Sequence, residues 1–168
     1  MKTVLAGYSS TGTVAKLMET LKSRNGAPEF GGICRITAPK RGEVYPDERS
    51  ASGDLMRAAF AAFFGLSEPI RLEGDGPEEG DRLILCLPVW AGHIPPAVRT
   101  FLKKARLRNT AVSAVIVPKE NPGKAGAQLE SLVARRKGLW LGARIIPAKQ
   151  VLSKTIPETE FREIFKGL

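Results

Sequence analysis

Apolar residues along the chain fall into two alternating kinds of segment. The first is a short continuous run: TVLAGY from Thr3, RLILCL from Arg82 and AVSAVIV from Ala111. Runs of this length, with punctuating Gly, Pro or Asn nearby, read as strands buried on both faces. The second kind repeats apolar positions at helical spacing, as Val14, Leu17, Met18 and Leu21 do on one face of a helix over 14–23. The same reading predicts a weaker strand over 30–36 and a helix over 52–65, capped at Ser52 or Asp54 and stopped by Gly65. Further along it predicts a proline-opened helix over 96–105, a helix over 124–136, a strand over 142–146 with an extension toward Leu152, and a helix over 158–165. Strand and helix alternate five times. The expected fold is an α/β three-layer sandwich with a five-stranded parallel sheet, in one domain over 1–168. Such sheets bind ligands beyond the carboxyl ends of their strands, which points to the loops after Tyr8, Leu87 and Val117.

Composition narrows the classes. A chain of 168 residues with 43% apolar content supports one full core and is not a disordered segment. No apolar run approaches the roughly 20 residues of a membrane span, and MKTVLAG passes straight into polar residues without a signal-peptide core. A cytoplasmic protein without a membrane partner is expected. Cys34 and Cys86 are too far apart for a CxxC site and too few for a disulfide framework, so two buried reduced thiols are expected.

The net charge of +9 is unevenly distributed. Residues 1–95 hold 11 Lys/Arg against 12 Asp/Glu, residues 96–150 hold 12 against 2, and residues 151–168 hold 3 against 3. One third of the chain therefore carries the excess. A basic face of this kind suits an anionic ligand, an acidic protein or nucleic acid. No zinc-finger spacing or aromatic-interleaved basic stripe accompanies it, so no specific nucleic-acid partner is expected.

The turn after the first strand reads YSSTGTV. Ser9, Ser10, Thr11 and Thr13 place four hydroxyls around Gly12 where a helix begins. Unpaired N–H groups and the positive end of the helix dipole favour an anion there, and a phosphate fits hydroxyls and a close glycine backbone. An ordinary helix cap needs one hydroxyl. Neither a Walker loop nor a GxGxxG fingerprint is present. The second loop, LPVWAGHIPPAVRTFL, reads as an exposed Trp90 beside accessible backbone at Ala91, Gly92 and His93, a place where a planar heterocycle stacks and takes hydrogen bonds; taken alone, Trp90 fits a core position equally well.

Together, YSSTGTVAKLMETL and LPVWAGHIPPAVRTFL resemble the flavodoxin-like family, whose first loop reads [ST]-x-T-G-x-T and whose second, in one subgroup, reads P-V-W-A-G near a proline pair. The resemblance implies FMN as cofactor and a strand order 2-1-3-4-5. It implies that Ser9, Thr11, Gly12 and Thr13 hold the FMN phosphate, with backbone contacts from Ser10. Val14 stands where the pattern has its last Thr. Pro88, Val89, Trp90, Ala91, Gly92 and His93 would line the isoalloxazine. The third loop, from Pro118, departs from the pattern: it offers Asn121, Gly123 and Lys124 and no aromatic ring. The stretch from Pro39 to Ser52 is longer than a connection needs, and Tyr45 is its candidate cover over the site.

The implied function is an FMN-binding redox protein passing electrons to a protein partner, an acidic one being the natural match, or to a small-molecule acceptor. An FMN-dependent NAD(P)H quinone or nitro-compound reductase and a flavin-free interaction module are the alternatives. No nucleophile–base pair or paired carboxylates suggest catalysis by side chains. The basic third of the chain is expected to flank the flavin edge in part, with Lys119 and Lys124 tuning its potential.

Overall fold

The structure is a computed structural model that describes residues 1–38 and 61–166. Its strands are β1 (Thr3–Tyr8), β2 (Phe30–Thr37), β3 (Arg71–Glu73), β4 (Arg82–Pro88), β5 (Ala111–Val117) and β6 (Leu139–Ile145). Its helices are α1 (Thr13–Ser23), α2 (Pro96–Lys104), α3 (Ala125–Arg135), α4 (Ala148–Ser153) and α5 (Glu158–Phe165). Residues 61–63 are also helical. The expected Ser52 and Asp54 caps and the stretch with Tyr45 lie outside the described residues.

One sheet runs in the order β3-β2-β1-β4-β5-β6. The pairs β2–β1, β1–β4, β4–β5 and β5–β6 are parallel, and β3 is antiparallel to β2. The expected five strands in the order 2-1-3-4-5 are therefore corrected to six in the order 3-2-1-4-5-6. The added strand consists of three exposed residues, Arg71, Leu72 and Glu73. It has no buried face, so no apolar pattern marks it; pairing with Arg35, Ile36 and Thr37 makes it a strand. The five parallel strands by themselves keep the expected succession.

Alternate residues of the buried strands supply two apolar layers. Val4, Ala6, Leu83, Leu85, Val112 and Ala114 face α2 and α3, where Val98, Phe101, Leu129 and Val133 complete one cluster. Leu5, Ile84, Cys86 and Val115 face the other way, onto Val14, Leu17 and Leu21 of α1 and Phe161 and Ile164 of α5. Burial of each such large side chain stabilises the fold by about 1.5–3 kcal/mol. This two-sided burial explains why β1 and β5 coincide with the expected strands, and why β4 differs only by Pro88. Gly65, at φ +66, ends the 61–63 helical turn as expected. Leu66 N–H donates to the Ala61 carbonyl at 2.9 Å and Gly65 N–H to Ala62 at 3.2 Å, the paired bonds of a Schellman stop.

The last strand starts earlier than expected, at Leu139, and the segment from Ala148 to Ser153 is helix α4 rather than an extension of the strand. As an edge strand, β6 is mostly exposed; Trp140 and Gly142 are its half-buried residues, too few to mark a strand by apolar pattern. Its pairing with β5 also slips between Val112 and Ser113.

Candidate functional site

Parallel pairing aligns the carboxyl ends of β1, β4 and β5, so the loops after Tyr8, Pro88 and Val117 emerge at one edge of the sheet. The strand order reverses at β1, which has β2 on one side and β4 on the other. A ligand crevice is expected at this position.

The first loop enters α1 through Gly12, which caps the helix in the left-handed region at φ 82 with no side-chain cap bond. Ser9 Oγ accepts from Ala15 N–H at 3.2 Å, while Thr11 Oγ1 and Thr13 Oγ1 lie 3.4 Å apart. One hydroxyl thus serves the helix end, and Ser10, Thr11 and Thr13 are not spent on capping. No acidic residue occupies the first turn of α1. These features suit a dianionic phosphate: hydroxyl donors, first-turn N–H groups and no competing carboxylate. Val14 takes a different part. Its side chain is buried among Leu17, Leu5 and their neighbours, so only its backbone can serve a ligand here.

The second loop corrects the expectation of an exposed tryptophan. Trp90 is 7% exposed and meets Tyr8 edge to face, with ring centroids 5.7 Å apart at 73°. The loop itself is a tight reversal: Trp90 N–H donates to the His93 carbonyl and His93 N–H to the Trp90 carbonyl, both at 3.0 Å. Ala91 at φ 49 and Gly92 at φ 75 form its two central residues, as a mirror-image hairpin turn requires. Trp90 is buried and Ala91 is exposed. His93 N–H is consumed by the turn, and no hydrogen bond from Ala91 or Gly92 N–H is formed among the described residues. Pro88 ends β4 and Val89 packs on the core, both half-buried.

The third loop meets the second backbone to backbone. Lys124 N–H donates to the Gly92 carbonyl at 2.7 Å, and Asn121 Oδ1 accepts from Gly123 N–H at 2.7 Å. Gly123 sits at φ 53, and a Cβ there would lie 2.4 Å from Gly92 Cα.

Two contributors were not visible in the sequence. Gln128 on α3 accepts from Ile94 N–H through Oε1 at 3.0 Å, and its Nε2 faces His93 Nδ1 at 2.8 Å. The backbone bond orients the amide, so Nε2 donates, Nδ1 accepts and the His93 proton resides on Nε2. Phe63, 62% exposed, meets the His93 ring edge to face at 5.3 Å and the Phe64 ring at 5.2 Å. Among the described residues, exposed aromatic surface beside His93 is supplied by the Phe63–Phe64 pair before Gly65.

Other groups are excluded from chemistry at this edge. Burial pushes the Cys86 thiol up to about 12, and burial followed by the negative charge of Asp75 pushes Cys34 up to about 11, so neither is a thiolate near neutral pH. No group of metal-ligating side chains occurs among the described residues. A cavity of about 100 Å³ lined by Ser113, Leu141, Arg144 and Glu163 lies on the β6 flank. Its polar groups are tied up in ion pairs from Glu163 to Arg144 and Lys166. Most of the expected basic excess is also elsewhere: Lys119 and Lys124 are on the third loop, but Lys103, Lys104, Arg106, Arg108, Arg136 and Lys137 cluster at the opposite end of the sheet.

No protein-family model matches the chain, and no curated protein matches it. Solved structures do. A flavoprotein from Lactobacillus acidophilus NCFM, determined in complex with FMN, superposes with a TM-score of 0.63 at 18% identity, covering 91% of this chain and 97% of that one. Candidate flavoproteins from Bacteroides eggerthii DSM 20697 and Bacteroides uniformis ATCC 8492 superpose at 0.60 and 0.61, with 18% and 16% identity. They cover 91% and 92% of this chain, and 94% and 97% of their own lengths. The likeness establishes a shared fold, in agreement with the flavodoxin-like resemblance read from the two loops.

Proposed function

We propose that the protein binds FMN at the β1–β4–β5 edge and passes electrons through it to a protein or small-molecule acceptor. The observation that carries this reading is the start of α1, where Ser10, Thr11 and Thr13 surround a glycine-capped helix end without a carboxylate, beside the backbone donors of Ala91 and Gly92. FMN in the Lactobacillus acidophilus flavoprotein, which shares the fold, supports it. The bound flavin would supply the electron chemistry; the chain supplies placement and electrostatics. The start of α1 would hold the phosphate with charge-assisted hydrogen bonds. Ala91 and Gly92 of the 90–93 turn would offer backbone N–H groups to the flavin, and Gln128 keeps His93 in the tautomer that carries its proton on Nε2.

The test is a flavin titration of the purified protein. FMN should bind and colour it yellow, with riboflavin bound much more weakly. Thr11→Ala/Thr13→Ala removes two charge-assisted bonds of roughly 1.5–3 kcal/mol each and should cost at least about tenfold in FMN affinity. Equal affinity for riboflavin and FMN rejects the phosphate assignment.

A second reading, an FMN-dependent NAD(P)H reductase of quinones or nitro compounds, is favoured by the exposed Phe63 ring against His93, a surface suited to a planar acceptor. Steady acceptor-dependent NAD(P)H oxidation distinguishes it from a carrier that turns over only with a protein partner.

A further inference from the structure

The end of the sheet opposite the candidate site is strongly basic. α2 finishes with Lys103 and Lys104, and the loop beyond it carries Arg106 and Arg108; α3 finishes against the same place, followed by Arg136 and Lys137. The two helix ends are joined: an Arg136 Nη donates to the Ala105 carbonyl at 3.4 Å, and Asn109 N–H donates to the Lys137 carbonyl at 2.9 Å. All six cations are exposed, and none forms an ion pair among the described residues. Glu78 and Glu79 border the cluster on the β4 side, and the Asp81 carboxylate accepts from Lys2 and Glu78 N–H. Compensation of helix dipoles accounts for Lys103, Lys104 and Arg135 in the last turns, but not for the four cations beyond them.

Apolar side chains adjoin these charges. Leu139, 58% exposed, follows Lys137 by two residues and is anchored at Thr110, whose carbonyl accepts its N–H at 2.8 Å. Leu141, 53% exposed, comes next along the edge strand, while Trp140 between them turns onto the core.

We propose that this end is a docking surface for an anionic lipid bilayer. Long flexible cations reach headgroup phosphates, and Leu139 gains by entering the interfacial region. A nucleic acid would satisfy the cations, but it has no use for the exposed Leu139, and among the described residues the cluster offers no exposed aromatic ring on which bases could stack. No helix among the described residues is long and apolar enough to cross a membrane, and peripheral docking requires none. A strand of seven residues, β5, separates this end from the candidate site. At about 3.3 Å per residue the separation is roughly 20 Å, so docking leaves the site loops facing water.

Sedimentation with phosphatidylcholine vesicles, with and without about one third phosphatidylglycerol, tests the proposal. Binding should require the anionic lipid and weaken as salt shortens the screening length. Each cation near such a surface contributes roughly a factor of five, so Arg106→Glu/Arg108→Glu/Arg136→Glu/Lys137→Glu should weaken binding by more than about a hundredfold. Leu139→Ser should weaken it several-fold at unchanged charge. Lys119→Glu/Lys124→Glu, at the other end, should change it little. Circular dichroism and thermal melting check that each variant is folded, and Arg106→Gln/Arg108→Gln is the milder substitute for the fourfold reversal. The proposal is overturned if the wild type ignores anionic vesicles, or if reversal at either end weakens binding equally, since net charge alone would then be acting. It is also overturned if duplex DNA outcompetes vesicles while Leu139→Ser has no effect, which would assign the surface to nucleic acid.

Discussion

Gly92 and Gly123 meet backbone to backbone: a Cβ built on Gly123 would stand 2.4 Å from Gly92 Cα and 2.5 Å from its carbonyl oxygen. The loops after β4 and β5 can close on one another only because neither residue carries a side chain. Both also lie at positive φ, 75 and 53. The expected outcome is ordered. Gly123→Ala must displace main chain as well as adopt a left-handed conformation, and should cost about 2–4 kcal/mol. Gly92→Ala, whose added Cβ meets Gly123 Cα at 3.3 Å, should cost less. Thermal melts rank the two, and flavin titration should show FMN affinity falling in the same order, because the Gly92 donor moves with the loop.

Trp90 packs beneath the turn against Tyr8, so its removal is a stability experiment before it is a binding experiment. Trp90→Ala should destabilise the fold by about 3–5 kcal/mol and lower the melting temperature by roughly 10 °C. A midpoint within two degrees or so of wild type, together with a loss of flavin binding, would instead indicate a ring that leaves the core to meet the ligand.

Lys124 caps α3 with its N–H on the Gly92 carbonyl, so its backbone lies on the same loop edge as Ala91 and Gly92 and its side-chain cation is within reach of that edge. A cation there favours the added negative charge of reduced flavin. Lys119→Glu/Lys124→Glu should therefore make the flavin midpoint more negative. Coulomb attraction of about 1 kcal/mol in water-like surroundings corresponds to roughly 20 mV for a two-electron couple. Redox titration at low and high salt measures the shift, and an unchanged midpoint would remove these lysines from the site.

Asp81 is buried at the start of β4, and its two oxygens accept from Lys2 N–H at 2.9 Å and Glu78 N–H at 3.0 Å. Burial pushes its carboxyl up, but the two N–H bonds and the positive charges of Lys2 and the N-terminus outweigh it, leaving the group below the usual carboxylate range. Because the folded value is depressed, this stabilisation is fully present above the unfolded value of about 3.9 and is lost as pH falls through the lower folded value. Asp81→Ala should cost about 2 kcal/mol at neutral pH, or roughly 5 °C in melting temperature. The difference from wild type should shrink in melts at increasingly acid pH; a difference independent of pH would assign the effect to packing.

Elements buried on both faces were legible in the sequence because burial leaves a record in residue type. Thr3–Tyr8 and Ala111–Val117 are continuous apolar runs that lie between two helical layers, and Val14, Leu17, Met18 and Leu21 mark the one face of α1 that meets the sheet. The phosphate-like turn was legible for a related reason: hydroxyls and glycine at a strand-to-helix junction have few other uses. Elements made by pairing alone left no such record. Arg71–Glu73 is a strand only because β2 offers it an edge, and β6, exposed along most of its length, carries no continuous buried run. The direction of Trp90 was likewise undetermined by composition, since PVWAG is compatible with an exposed or a buried ring, and packing against Tyr8 is a tertiary contact. Contacts remote in sequence belong to the tertiary structure for the same reason. Gln128 reaches His93 across 35 positions, and the cations after α2 meet those after α3 only because parallel pairing sets the starts of β5 and β6 side by side. Local chemistry thus determined which segments could bury themselves and which turn could hold an anion, while the packing of the sheet decided which side chains share an end.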